Sequence, residues 1–131
     1  MAFLEEIRTQ ILTILGGTPL VTCGELSRST DVCTTVYETG GAGADLGLGV
    51  DGIQYEYPAI QVVCRGAPKD YATPRATAQL IYKGLPKIQA ESLSGVYYHW
   101  IKPMQAPFVL RRDENERVLI AVNFVCEKEP S

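Results

Sequence analysis

The sequence has one histidine, one tryptophan and four cysteines, and each scarcity excludes something. Cys23, Cys33, Cys64 and Cys126 form no CxxC pair. With only His99 to complement them, a structural zinc site would need thiolates gathered from the whole chain. Cys64 and Cys126 lie inside apolar runs and are expected as small, reduced, buried hydrophobes. No apolar run approaches the roughly 20 residues of a membrane-spanning helix. The opening MAFLEEIRTQIL carries acids where a secretory leader would carry bases, so no leader and a reducing cytosolic setting are expected. The phosphate-loop pattern GxxxxGK(S/T) is absent. Gly47-Leu48-Gly49-Val50-Asp51-Gly52 matches GxGxxG by letter. It leads into Ile53-Gln54-Tyr55-Glu56-Tyr57-Pro58, an extended segment, where a dinucleotide site needs a helix N-terminus. No cofactor and no metal are expected.

Catalytic signals are equally thin. His99 sits in a strand-like run beside Tyr98 and Trp100, and no nucleophile signature surrounds Ser27, Ser29 or any cysteine. Glu56 and Asp113 could pair as acid and base only if the fold brought them together. No catalytic residue is assigned. A net charge of -3 and a pI near 5.1 argue against a nucleic-acid clamp. Tyr55, Tyr57, Tyr71, Tyr97, Tyr98 and Trp100 are not interleaved with bases, which favours core or protein-interface use over base stacking.

What is present describes one domain spanning residues 1–131. Phe3, Leu4, Ile7, Ile11, Ile14 and Leu15 recur at helical spacing, with Glu5 and Glu6 in the first turn and Gly16-Gly17 at the end. Residues 32–37 and 59–65 read as strands rich in β-branched residues. Between them, six of the fourteen residues 39–52 are glycine. This stretch reads as a long mobile loop over 39–54, or as an extended hairpin tip. Asp70 or Thr73 can cap a second helix that ends near Leu85. Strands follow at 96–102, 108–112 and 117–126, with Asp113-Glu114-Asn115-Glu116 as a polar turn. The last is apolar on both faces and is expected at the sheet centre. The fold class is α+β: a mainly antiparallel or mixed sheet, two α-helices packed on one face, and a long Gly-rich loop.

Charge is segregated. Residues 31–64 hold five acids and no base, whereas residues 65–112 hold eight bases and two acids. Such a molecule can associate head to tail.

The segment Tyr55-Glu56-Tyr57-Pro58-Ala59-Ile60-Gln61-Val62-Val63-Cys64-Arg65-Gly66 resembles the aromatic-Pro-x-x-Gln-Val-x-x-Arg-Gly stretch of small phage neck proteins. Many of these are classed as minor capsid or tail-completion proteins. The helix ending Ile81-Tyr82-Lys83-Gly84-Leu85, the run from Gln105 to Arg117, Asn123-Phe124 and Gly40-Gly41 are similar in order and spacing. The resemblance implies a tail terminator. Such a protein forms a homo-oligomeric, hexameric ring in the virion, at the neck. It caps the tail tube, meets the tail tube protein and a head-completion or connector protein, and lets DNA pass without specific binding. Assembly in the host cytoplasm without a membrane partner is implied. Arg65, Arg111, Arg112, Asp113 and Arg117, with Tyr55 and Tyr57, are the expected interface residues, and Asp45 and Asp51 the expected loop contacts. Gln61 and Asn123 are expected to satisfy backbone groups where sheet meets loop. A head-completion (stopper) protein, a small cytosolic enzyme using His99 with Glu56 or a cysteine, and a monomeric ligand-binding domain stay open as alternatives.

Overall fold

The computed structural model describes residues 2–17, 19–46 and 52–130. The N-terminal helix α1 (Phe3–Ile14) buries Ile7 and Ile11, the stripe expected from its spacing. Gly16 and Gly17 end it with φ of 88° and 84°, a left-handed pair that side-chain-bearing residues avoid. The Gly17 N–H donates to the Leu12 carbonyl at 2.7 Å and closes the terminus. Helix α2 (Ala72–Gly84) is capped from Asp70, whose Oδ1 accepts the Thr73 N–H at 3.2 Å. Hydrogen bonds from Thr73 hold the Asp70 carboxyl below its ordinary value.

Among the described residues, seven strands form one mixed sheet: β1 (Val21–Cys23), β2 (Cys33–Leu46), β3 (Ile53–Pro68), β4 (Gln89–Leu93), β5 (Val96–Pro103), β6 (Phe108–Arg112) and β7 (Arg117–Lys128). Their order is β1-β2-β3-β7-β5-β4, with β6 also on β7. Only β1 and β2 pair in parallel. The final strand is central, as its two apolar faces require: one edge takes β3, the other takes β5 and then β6.

Val36, Ile60, Val62, Cys64, Ile120, Val122, Phe124 and Cys126 share one core with Ile7 and Ile11 of α1 and Ala78 and Ile81 of α2. Both helices therefore cover the same face. Burying this much apolar surface is the main stabilising term of the fold. On the opposite, helix-free face Val63, Leu119 and Ala121 form a smaller core under Leu26, Tyr37 and Phe108. Burial pushes the Cys64 and Cys126 thiols up to about 12, so both behave as apolar groups.

Three expectations change. The strand β1 and the polar strand β4 (QAESL) were not anticipated. The long loop over residues 39–54 is largely strand: β2 pairs with β3 out to Leu46↔Ile53, so an extended hairpin describes it. The reason is backbone pairing, which glycine and alanine permit although they contribute no side-chain packing. Residues 47–51, including Asp51 and most of the GxGxxG match, lie outside the described residues.

Candidate functional site

The β2–β3 hairpin runs past the rest of the sheet. β7 accompanies β3 only from Pro68 back to Glu56, and β1 accompanies β2 only to Val36. Residues 38–46 and 52–54 are all exposed, with Leu46 and Ile53 facing solvent at the far end. The register shifts at Thr39/Ala42 and twice more before Leu46. The first shift has a steric cause. A Cβ on Gly41 would lie 1.8 Å from the Tyr57 carbonyl oxygen, so two backbones touch where a side chain would separate them.

At the foot of this ribbon, strand alternation sends neighbouring residues to opposite faces of the sheet. On the helix-free side the Tyr57 hydroxyl meets both the Asp45 carboxylate and Glu127, the latter at 3.0 Å. A hydroxyl has one proton to donate, so two acids compete for it. The hydrogen bond to Asp45, then partial burial and Glu127, push the phenol well above the ordinary tyrosine range. Glu127 also pairs with His99 Nδ1 at 3.1 Å. The His99 ring lies against Tyr55 and edge-on to Tyr97, with centroids 4.4 and 5.2 Å away.

On the helix-covered side, Lys128 is 1% exposed and its Nζ lies 2.8 Å from Glu56 Oε1. Glu6 is fully buried and accepts the Tyr98 hydroxyl at 2.7 Å, while its second oxygen has no hydrogen-bond partner among the described residues. Burial first, and then Glu6, raise the Tyr98 phenol far above its ordinary value. The sequence places Glu6 only as an acid of the first turn. Its position three residues after Phe3 places it on the buried stripe, a signal the spacing carried.

The arginines act elsewhere. Arg65 is 4% exposed and donates to three backbone carbonyls, of Asp31, Ser27 and Thr30, at 2.6–2.8 Å. It fixes the loop before β2 through these carbonyls. Asp113 and Arg117 meet each other at 2.8 Å, and Arg117 reaches Asp31 at 2.9 Å. Arg111 and Arg112 project from the exposed strand β6. Asp113 does not meet Glu56, which is held by Lys128. Gln61 and Asn123 are register partners, and it is the Asn123 backbone that binds the loop before β6, accepting the Met104 N–H at 2.8 Å. Tyr71 is half exposed. An apolar cavity of about 320 Å³ opens between β2, β3, α2 and the segment that follows α1, lined by Leu20, Val32 and Leu80 among others. Among the described residues, no three carboxylate, thiol or imidazole groups are placed to hold a metal ion.

A family model described as bacteriophage tail terminator protein matches residues 7–130. The fold is similar to that of a chain from the virion of a native gene transfer agent (GTA) particle. The TM-score is 0.62 at 12% sequence identity, over 96% of this chain and 90% of that chain. No curated protein sequence matches.

Proposed function

Because this chain belongs to the bacteriophage tail terminator proteins, we propose that it forms a hexameric ring that caps the tail tube, ends tube elongation and joins tail to head. It is a tail-related structural protein of a virion, and the family match over residues 7–130, which takes in α1 from Ile7 onward, α2 and all seven described strands, is the observation that carries this reading.

The geometry supports the finer statement in two ways. A two-stranded ribbon is marginal by itself in water. The exposed β2–β3 extension therefore suits a contact made in an assembly, with a neighbouring subunit, the tail tube protein or the head-completion protein. The acidic stretch from 31 to 64 suits a passage for DNA, because basic side chains would release phosphate counterions and hold the strand.

Deleting the gene and imaging the particles by negative stain tests this. Overlong tail tubes beside tail-less full heads are the expected result. Heads and tails of normal length but unjoined would instead assign the chain to head completion. Intact infectious particles would remove it from the neck.

A further inference from the structure

The sheet has two long edges of different character. β4 covers the outer edge of β5 only, from Gln89↔Trp100 to Leu93↔Val96, and β6 pairs only with β7 among the described residues. The outer edge of Phe108–Arg112 therefore offers unpaired backbone N–H and C=O groups. It is flanked by the exposed apolar side chains of Val109 and Leu110 and the exposed cations of Arg111 and Arg112. At the other side of the sheet, the outer edge of β2 is unpaired beyond Val36, and Glu38 and Asp45 stand on it among glycines and alanines.

We propose that these edges join: the outer edge of the β2 ribbon in one copy adds as a strand to the outer edge of β6 in the next copy. This names the partner surface within the ring proposed above and rests on that reading. Three observations carry it. Within one chain β2 runs antiparallel to β3, β3 to β7 and β7 to β6, so β2 and β6 have opposite directions. Copies arrayed side by side about an axis along the strands therefore pair antiparallel, the more stable ladder. The sheet continues from copy to copy, and its twist turns the array so that a heterologous contact can close.

Charge selects this pairing. Two β6 edges facing each other would oppose Arg111 and Arg112 to their own copies, which disfavours symmetric association. Glu38 opposite Arg112 sets Gly40–Ala42 against Leu110–Phe108, small residues facing large ones, as interlocking requires. Among the described residues, the side chains of Glu38, Arg111 and Arg112 make no hydrogen bond or ion pair, and all three are exposed, so they are available to a neighbour. The other two edges offer less: β1 has three residues, and β4 is polar and mostly exposed.

The test uses particles lacking the gene, complemented with variants. Glu38→Lys and the double variant Arg111→Glu/Arg112→Glu should each fail to restore normal tail length. Combining all three substitutions in one chain should restore it. Purified variants should keep the wild-type thermal midpoint. If the double reversal lowers that midpoint, Arg111→Gln/Arg112→Gln replaces it. Normal tails from either separate variant would overturn the proposal, as would failure of the folded combined variant, and both leave the ring reading standing. Normal tails from the deletion itself would defeat the ring reading instead.

Discussion

The β6–β7 hairpin turns within Asp113–Glu116 and closes that turn with side chains. The β2–β3 hairpin runs about as far beyond its sheet as a whole short strand and relies mainly on backbone pairing. In the first, the Asp113 carboxylate accepts the N–H groups of Asn115 and Arg117 and the Arg117 Nε, all within 3.0 Å. Glu116 adopts φ of 61°, and Lys69 binds its carbonyl from outside. In the second, glycine lets strands touch at Gly41, and the Tyr57 side chain anchors the foot on Asp45 and Glu127. One hairpin is finished within the chain. The other keeps its outer edge open beyond Val36.

The difference can be broken most strongly at the closed turn. Asp113→Ala should lower the unfolding free energy by about 2 kcal/mol, measured in urea, because hydrogen bonds to a charged acceptor are lost. Burial acts to raise the Asp113 carboxyl, but the Arg117 N–H and guanidinium and the Asn115 N–H outweigh it and hold the value low. The stabilisation it gives is thus fully present above about pH 4 and is lost as pH falls through the lower folded value. Asp113→Asn should flatten that acid decline. If the acid limb is unchanged, the carboxylate is not what closes the turn.

Gly41→Ala should act on the open hairpin, at a cost of about 1–2 kcal/mol by overpacking. The ribbon can part without opening the core. Hydrogen exchange should therefore show lost protection confined to residues 42–46 and 53–57, and retained protection there would mean that the close approach is not essential. Tyr57→Phe should have a smaller effect, felt at high pH. A phenol raised above its ordinary value contributes stability below about pH 10 that is lost as pH rises through the folded value, so removing it should soften the alkaline decline. Gly40→Ala meets nothing within 4 Å and needs no left-handed backbone, so it should raise stability by about 0.5 kcal/mol through the unfolded chain. A loss there as large as at Gly41 would erase the distinction between the two glycines.

The same contrast explains what was legible in the sequence. The turn of the closed hairpin was read with its residue bounds, since β-branched runs flanking Asp-Glu-Asn-Glu are local signals. The helices and the central strand were equally plain. The strands β1 and β4 were not, because three residues of β1 and the polar QAESL become strands only through their partners. The open ribbon was ambiguous because glycine marks loops and close-packed backbones alike. The base of the ribbon was the least legible part. Tyr57 meets Glu127 seventy positions away, and Glu6 meets Tyr98 across ninety-two. The arginines were visible as a cluster, but nothing local distinguishes Arg65, which holds three carbonyls, from Arg117, which holds two carboxylates.

The position of β7 carries a consequence in time. The strand that joins β3 to β5 and β6 is the last of the seven to leave the ribosome, and its partners on β3 precede it by about sixty positions. Until residues 117–128 are made, the two halves of the sheet have no seam, and the core beneath α1 and α2 has no floor. Folding therefore awaits the synthesis of β7, and long-range pairing of this kind is slow. A chain cut short before residue 117 would lack the strand on which β3, β5 and β6 all pair, and with it the continuous sheet.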